Sequence, residues 1–368
     1  MSRTAARLWL LPRLLRALLT PRPPAAAQPT RILVLHHLLL GDTLMLTPLL
    51  AKLRTRHPDA RICLACPRPF LPLYAARPFG VEALRFDPRD AATLAALQAA
   101  GPWDLVLIPA ENRYTPLARA LGAAHIVGFA GDKPAWKNRL LDEAHPFPQS
   151  PATFADFAAG LVDGPPPAPY TPQDWPWAEP AAFQRPAGRY AVLHLGASSP
   201  LKFWPAERWR QLAAWLIASG IAPVWSAGAK ETALVRAVDS EGRYTSFAGQ
   251  LDLLQLAHLL RHATLMVCPD TGVTHLARLT GTPTVALFGP GSAVICGAGQ
   301  YWRYSPFIAL SEPIDCRNQH HTFRREADWI QRCGRSHGDG PGQCPHPRCM
   351  EALSLASVQQ ACQQLLAQ

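Results

Sequence analysis

Hydrophobic and polar positions follow two alternating patterns from residue 30 onward. Short apolar runs, which favour buried strands, are followed by stretches in which apolar residues recur every three or four positions, which favours helices. In the first half of the chain the predicted strands cover residues 32–35, 61–65, 104–108 and 125–129, and the helices cover 43–56, 91–100 and 115–121. Strands separated by helices in this way predict a parallel sheet.

The same alternation returns in the second half of the chain. It predicts strands at residues 190–195, 221–226, 265–268 and 284–288, and helices at 205–219, from 231, at 253–261 and at 271–280. Between the two halves, residues 165–186 contain eight prolines and show no periodicity. Such a composition is typical of a semi-rigid linker.

These patterns predict the organisation of the whole chain. We expect a Rossmann-like domain over residues 30–162, a linker over 163–188, a second Rossmann-like domain over 189–350 and a terminal helix over 351–368. A chain of 368 residues is long enough for two domains of ordinary size. The predicted fold class is therefore α/β, with two parallel sheets facing a central cleft, where ligands of open α/β sheets bind.

The segment 1–29 carries half of the formal net charge of +10. Pro12, Arg13 and Arg16 interrupt the apolar run that a signal peptide or a membrane anchor needs. We therefore predict a basic, amphipathic segment that lies on a membrane surface; a disordered leader or a misassigned start codon is the alternative. Its five cationic residues are Arg3, Arg7, Arg13, Arg16 and Arg22.

The remaining basic residues narrow the class of partner. They are not interleaved with aromatic residues along one element, as the binding of single-stranded nucleic acid requires, so we expect no nucleic acid partner. No G-x-G-x-x-G sequence follows the first predicted strand, which argues against a dinucleotide oxidoreductase. Phosphorylated small molecules and anionic lipid remain as partners for the positive charge.

Nine cysteines without a secretion signal favour a reducing compartment. Four of them, Cys316, Cys333, Cys344 and Cys349, occur close together with histidines between them. This cluster is a candidate for a structural zinc site, although its spacing is irregular and contains no C-x-x-C pair. Free thiols or a redox-labile pair are the alternative.

The first motif, Gly41-Asp42, falls where the first strand gives way to the first helix. Gly41 permits a tight turn, and Asp42 is expected at the carboxyl end of the sheet. A carboxylate there is able to take a proton from a hydroxyl as a general base. The alternative is that Asp42 only caps the helix.

The second motif is the loop over residues 196–205, which contains Gly196, Ser198 and Lys202. Small residues let backbone amides approach an anion, the following helix adds a partial positive charge, and Lys202 adds a full one. This combination predicts a diphosphate site. A solvated lysine on an ordinary turn is the alternative.

The third motif begins at Asp270, Thr271 and Gly272, with His275 one helical turn further along. Asp270 or Thr271 is expected to cap a helix whose first amides face a ligand, and Gly272 leaves its entrance open. The alternative is a capped helix with a buried core histidine.

Taken together, the motifs resemble glycosyltransferase family 9, the heptosyltransferases. The resemblance extends over residues 30–360 and is most specific in the segment Asp-Thr-Gly-Val-Thr-His-Leu, residues 270–276, and in Gly-Thr-Pro-Thr-Val-Ala-Leu-Phe-Gly-Pro, residues 281–290. Gly41-Asp42 and the loop 196–205 also match the family pattern. The resemblance implies a GT-B fold and an inverting transfer of heptose from ADP-heptose to a hydroxyl of the lipopolysaccharide inner core.

The resemblance also assigns roles to individual residues. Asp42 would be the general base, with Gly41 forming the acceptor-side turn. Lys202 would neutralise the diphosphate, and the remaining donor-site residues would be Gly196, Ser198, Asp270, Thr271, Gly272 and His275. Because Lys202 and the helix termini supply positive charge, we expect metal-independent catalysis with no required cofactor.

The expected partners are an ADP-heptose-like donor and a lipid-linked saccharide at a membrane surface. The expected location is the cytoplasm, with peripheral association at the inner membrane. Three departures from the family pattern concern the identity of the substrate. His36 and His37 precede the turn, and Gly291 follows the last motif. Lys230 stands where relatives place an acidic residue near the ribose, with the adjacent Glu231 as a substitute. A family 9-like transferase with another sugar or acceptor, or a non-catalytic nucleotide-binding protein, therefore stays open.

Overall fold

The computed structural model describes residues 3–21 and 24–367, so Arg22 of the basic segment lies outside the described residues. The chain forms two compact units. Unit 1 contains the residues up to Ala168 together with Pro176–Ala178 and His321–Asp328, and unit 2 contains Pro169–Trp175, Glu179–His320 and Trp329–Gln368. Each unit holds a six-stranded parallel sheet, which confirms the predicted α/β class with two parallel sheets. The predicted domain boundaries themselves stay predictions.

Unit 1 is built on a sheet in the order β3-β2-β1-β4-β5-β6, with parallel pairing throughout. Its strands are β1 (Arg31–Leu35), β2 (Arg61–Cys66), β3 (Glu82–Arg85), β4 (Trp103–Ile108), β5 (Ala123–Phe129) and β6 (Glu143–His145). The hydrophobic pattern did not predict β3 and β6. These edge strands are half-exposed and lack the continuous apolar run that marks the central strands.

Helices accompany the sheet in the part of unit 1 that the structure describes. They are α1 (Arg3–Leu19), α2 (Leu40–Leu44), α3 (Thr47–Arg56), α4 (Ala91–Ala100), α5 (Thr115–Ala120) and α6 (Phe154–Ala159). The single helix predicted over residues 43–56 is divided into α2 and α3. Pro48, in the first turn of α3, explains the division because proline has no N–H for a continuing helix and is tolerated at a helix start.

Unit 2 repeats the same architecture in the order β12-β11-β10-β7-β8-β9, again with parallel pairing. Its strands are β7 (Tyr190–His194), β8 (Ala222–Ser226), β9 (Thr245–Ser246), β10 (Leu265–Pro269), β11 (Thr284–Leu287) and β12 (Phe307–Leu310). Its helices are α7 (Ala206–Ala218), α8 (Thr232–Val238), α9 (Leu253–Arg261), α10 (Gly272–Thr280), α11 (Arg348–Glu351) and α12 (Leu355–Leu366). The strands and helices predicted between residues 190 and 288 agree with these bounds to within a residue or two. The terminal helix predicted over 351–368 is shorter, since α12 begins at Leu355, and the edge strands β9 and β12 were not predicted.

Two small two-stranded pairs complete the fold. β13 (His321–Thr322) and β14 (Arg325–Glu326) form an antiparallel hairpin that belongs to unit 1. The ring centres of Phe323, at the turn of this hairpin, and Phe154 lie 4.5 Å apart, so the hairpin packs against α6. β15 (Ser336–His337) pairs with β16 (Gln343–Cys344) in unit 2.

Part of the predicted proline-rich linker is packed structure. Tyr170 and Trp175 are buried in unit 2, and the Tyr170 hydroxyl donates a hydrogen bond to the Leu279 carbonyl at 2.6 Å. Pro172 contacts Gly281, the glycine with positive φ that ends α10. This stretch therefore stabilises the end of α10 as well as connecting elements.

In each sheet, the first strand of the unit lies beside the fourth strand. The chain therefore reverses its direction of strand addition between β1 and β4 in unit 1, and between β7 and β10 in unit 2. Loops that leave the carboxyl ends of strands at such a switch point diverge and leave a crevice in which ligands bind.

Candidate functional site

The switch point of unit 2 brings Lys202 and Asp270 together. Lys202 follows β7 and Asp270 follows β10, and the Lys202 ammonium donates to the Asp270 carboxylate at 2.7 Å and to the Asp270 carbonyl at 2.9 Å. Both side chains are largely but not fully buried, with 21% and 10% of their surface exposed. These residues come from two separate motifs, each predicted to belong to a donor site, and the fold places them in direct contact.

The beginning of α10 lies next to this ion pair. Thr271 is extended and Gly272 starts the helix. The turn is held by Thr274, whose hydroxyl accepts from the Thr271 N–H at 3.3 Å and donates to the Pro269 carbonyl at 3.1 Å. The N–H groups of a first helical turn have no acceptors within the helix, so they present partial positive charge beside Asp270.

His275 is buried within α10 and is 3% exposed. Burial lowers the pKa of its imidazole well below the ordinary value, and the charges of Arg278 and Lys202 lower it further. The ring is therefore neutral at neutral pH. Its Nδ1 has no hydrogen-bond partner among the described residues. The motif thus contains a neutral, buried histidine that is near enough to Lys202 for this cation to lower its pKa.

Gly196 makes room for a carboxylate. A Cβ at Gly196 would lie 1.9 Å from Glu231 Oε2, and that same oxygen accepts a hydrogen bond from the Gly228 N–H at 3.0 Å. Glu231 is therefore held at the carboxyl end of β7. From the sequence it was predicted only as a substitute for an acidic residue near the ribose. Ser198, further along the same loop, is exposed.

Gly291 makes room for the Asp270 carboxylate in the same way. A Cβ at Gly291 would lie 2.1 Å from Asp270 Oδ2. The departure from the family pattern at this position is thus compatible with the observed position of Asp270. Arg317 supports the same loop from outside, since its guanidinium donates to the Gly289 carbonyl at 2.7 Å and to the Phe288 carbonyl at 3.3 Å.

The switch point of unit 1 contains Gly41 and Asp42. The helix begins at Leu40, so Asp42 is its third residue and the N-cap position belongs to Leu39. Simple N-capping by Asp42 is therefore not what the structure shows, although a carboxylate in the first turn still complements the helix dipole. Asp42 is half-buried, while Gly41 and Thr43 are buried.

His36, just after β1, is a buried donor at this switch point. The Leu38 N–H donates to His36 Nδ1 at 3.2 Å, so the ring proton of the neutral form is assigned to Nε2. Burial lowers the pKa of His36 to about 3. Nε2 has no partner in the part of the chain that the structure describes, and His36, His37, Arg113 and Tyr114 line a cavity of about 20 Å³, enough for one water molecule.

Arg325 holds the loops that follow β4 and β5. Its guanidinium is 2% exposed and donates to the carbonyls of Ala110, Phe129 and Ala130 at 2.7 to 2.8 Å. Burial lowers its pKa to about 10, so the group remains cationic at neutral pH. Arg325 and Arg317 were not predicted from the sequence, because nothing in their local sequence indicates carbonyl partners so far along the chain.

The four clustered cysteines all line one cavity of about 30 Å³ in unit 2. Burial raises the pKa of the Cys349 thiol, and the neighbouring Cys316 raises it further. Within residues 3–21 and 24–367, no group of three or more histidine, cysteine or acidic side chains is arranged to hold a metal ion. The structure thus gives no support to the zinc hypothesis. The cysteines concerned are Cys316, Cys333, Cys344 and Cys349.

Two parallel sheets of this strand order, each with polar motif residues at its switch point, define an α/β protein of the GT-B type. The family model described as glycosyltransferase family 9 (heptosyltransferase) matches residues 115–311, more than half of the chain. The chain therefore belongs to glycosyltransferase family 9, which confirms the resemblance found in the motifs.

Curated relatives are similar over a shorter region. Lipopolysaccharide heptosyltransferase 1 of Escherichia coli (strain K12) is 31% identical over 113 residues, which make up 30% of this chain and 35% of the relative. The chain thus matches about a third of the length of this relative. The enzyme of the same name from Pseudomonas aeruginosa is 34% identical over 116 residues, covering 31% of this chain and 32% of the relative.

Solved structures share the fold over nearly the whole chain. A family 9 glycosyltransferase from Veillonella parvula superposes with a TM-score of 0.69 at 18% identity and covers 94% of this chain and 99% of its own. The E. coli heptosyltransferase WaaC with ADP superposes with a TM-score of 0.64 at 18% identity, covering 91% and 99%. At these identities the likeness concerns the fold alone.

In residues 3–21 and 24–367, no helix is both long and apolar enough to cross a bilayer.

Proposed function

We propose that this protein is an inverting glycosyltransferase that moves heptose from an ADP-heptose-like donor to a hydroxyl of a lipid-linked, lipopolysaccharide inner-core acceptor. The observation that carries the proposal is the Lys202–Asp270 pair at the switch point of unit 2, beside the start of α10. Support also comes from the family, from relatives named lipopolysaccharide heptosyltransferase and from a fold neighbour solved with ADP.

In the proposed reaction, unit 2 stabilises the leaving diphosphate. As the bond between the sugar and the diphosphate breaks, negative charge grows on the leaving group, and fixed positive groups lower the energy of that state. Lys202 and the first amides of α10 would supply this charge. Asp270 would hold the ammonium in place for this role, since the two side chains lie 2.7 Å apart.

The donor's nucleoside would bind next to this point. Glu231 lies against Gly196 at the end of β7, where its carboxylate would accept hydrogen bonds from ribose hydroxyls. Ser198 is exposed on the same loop and would contact the donor, as would Thr271 and Gly272. His275 is neutral, so it would offer a hydrogen bond to the donor site without adding charge.

In unit 1, Asp42 would act as the general base. Its carboxylate would take the proton of the acceptor hydroxyl while the hydroxyl oxygen attacks the anomeric carbon and the diphosphate leaves, which inverts the configuration at that carbon in a single displacement. Because the proposed cations belong to the protein, we expect transfer to proceed in the presence of EDTA.

A second candidate differs only in substrate. His36 carries a buried Nε2–H close to the unit 1 switch point, at a position where the sequence departs from the family pattern. This difference favours, as the alternative, a family 9 transferase with another acceptor or another nucleotide sugar.

The deciding experiment is a transfer assay with ADP-heptose and a truncated lipopolysaccharide acceptor in EDTA, comparing wild type with Asp42→Asn. This substitution keeps the size of the side chain and removes the base. We expect product from wild type and a loss of about 10²- to 10⁴-fold in kcat for the variant, with unchanged ADP affinity. If Asp42→Asn transfers heptose as well as wild type does, Asp42 is not the general base. If wild type forms no product with any heptose donor, the proposed substrate is wrong.

The diphosphate role is tested separately by calorimetry with ADP. Lys202→Ala should weaken ADP binding at least about tenfold, because a charge-assisted contact to phosphate is lost. Arg236→Ala removes an exposed cation from α8 and serves as the matched control. Equal ADP affinity in wild type and Lys202→Ala would exclude the lysine from the diphosphate site.

A further inference from the structure

Helix α1 presents a continuous row of leucines to solvent. We call Leu8, Leu11, Leu15 and Leu18 the leucine stripe; these side chains are 49% to 68% exposed, and Leu19 beside them is 84% exposed. Large apolar side chains on a protein surface are ordinary when scattered, but a contiguous row is typical of an interaction site.

The opposite face of α1 is attached to unit 1. Ala6 is buried, and Trp9 and Leu10 pack against the hydrophobic core of the unit. Arg13 donates to the Gln98 side chain on α4 at 2.9 Å, and its guanidinium lies 4.4 Å from the centre of the Trp9 ring. These contacts fix the rotation of α1 about its axis, so the leucine stripe cannot turn inward.

Two exposed arginines border the leucine stripe. At about 100° per residue, the stripe covers roughly a quarter of the helix circumference, with Arg7 beyond one edge and Arg16 beyond the other. Both are exposed, and the sequence contains no acidic residue before Asp42. The outer face of α1 is therefore largely apolar along its middle, with one exposed arginine on each side and no acidic residue.

We propose that the leucine stripe, with Arg7 and Arg16, is a docking surface for an anionic lipid bilayer, on which α1 lies parallel to the membrane plane. An apolar face bordered by basic residues is suited to the boundary between headgroups and acyl chains, where leucines leave water and arginines meet lipid phosphates. Arg13 does not belong to this surface, because its guanidinium binds the Gln98 side chain and packs on the Trp9 ring.

Charge decides between a bilayer and a second copy of the chain as the occupant. A symmetric pairing of two α1 helices through the leucine stripe would bring arginines of both copies together, with no acidic residue on α1 to balance them. An anionic lipid surface supplies the missing negative charge. This proposal rests on the proposed function in one respect: a lipid-linked acceptor, presented at a membrane, gives the protein a reason to bind there.

The test is flotation of the full-length protein with phosphatidylcholine vesicles that contain or lack phosphatidylglycerol. We expect wild type to float with the anionic vesicles and to be released by salt. The double variant Leu11→Ser/Leu15→Ser should bind at least about tenfold more weakly, and Arg7→Glu/Arg16→Glu should lose the preference for anionic vesicles. Ile217→Ser, at a half-exposed apolar position on α7, is the control and should bind like wild type.

Two results would overturn the proposal. One is equal vesicle binding by wild type and the leucine variant, or no binding by either. The other is a dimer in sedimentation that the leucine variant dissociates, which would assign the leucine stripe to a second copy. Transfer to a short, lipid-free acceptor should be unchanged in the leucine variant, so failure of the transfer chemistry and failure of the docking surface give different results.

Discussion

At the scale of single residues, two glycines of unit 2 leave space for neighbouring carboxylates. Neither Gly196 nor Gly291 has a positive φ, so neither is needed for a left-handed turn. Each instead lies where a Cβ would overlap a carboxylate oxygen, of Glu231 and Asp270 respectively. The glycines thus determine where the acidic groups of the site are able to rest.

We predict that Gly291→Ala weakens donor binding several-fold while stability changes little. The new methyl group must displace the Asp270 carboxylate, which then releases or shifts Lys202. The measurement is KM for the donor, or Kd for ADP, together with the thermal unfolding midpoint. Gly334→Ala is the matched control, because its Cβ would meet its nearest neighbours at an ordinary 3.5 Å. Identical donor affinity in both variants would contradict the prediction.

At the scale of elements, the hairpin of β13 and β14 stabilises a sheet far from it in sequence. Arg325 bonds to a carbonyl 215 positions away, and its guanidinium also lies 5.6 Å from the centre of the Phe147 ring. The loops at the strand ends of unit 1 are thus held by a segment that follows most of unit 2 in the sequence. Asp132 adds to this support by accepting from the Asn112 N–H at 2.6 Å.

We predict that Arg325→Ala destabilises unit 1 by roughly 2–5 kcal/mol, since it leaves buried carbonyls without their donor. Urea unfolding should show a lower midpoint with an unchanged slope. Arg324→Ala, at the exposed neighbouring position, should shift the free energy of unfolding by no more than about 0.5 kcal/mol. If the urea midpoint of Arg325→Ala equals that of Arg324→Ala, the Arg325 contacts contribute nothing to the free energy of unfolding.

At the scale of the whole molecule, both units contain buried histidines. Burial lowers the pKa of His36 in unit 1 to about 3 and that of His194 in unit 2 to about 4, from an ordinary value of 6.5. His194 also shares a hydrogen bond of 3.0 Å with Ser226 across β7 and β8. In the unfolded chain these rings take up protons that the folded units exclude.

Stability should therefore fall as the pH drops from about 6.5 to about 4. In that window the unfolded chain binds more protons than the folded one, and each extra proton costs about 1.4 kcal/mol of stability per pH unit. Thermal unfolding between pH 4 and pH 7 measures the effect. His194→Gln should flatten the profile, whereas His337→Gln at an exposed position should not; a profile that neither substitution changes would assign the acid sensitivity to other groups.

The sequence by itself determined the alternation of strands and helices, the α/β class and the motifs that identify the family. These features depend on the spacing of apolar residues and on short runs of glycine, proline and charged residues, which act locally. Even so, local pattern missed the edge strands β3, β6, β9 and β12, since partly exposed strands carry little apolar signal. It also joined α2 and α3 into one helix.

Only the tertiary structure decided which distant residues meet. It paired Lys202 with Asp270, 68 positions apart, and gave Arg325 its carbonyl partners in unit 1. It also selected which face of α1 is attached to unit 1 and which face exposes leucines. These outcomes depend on how the chain returns to neighbouring strands and on the space left between packed side chains, neither of which is a property of any short stretch of sequence.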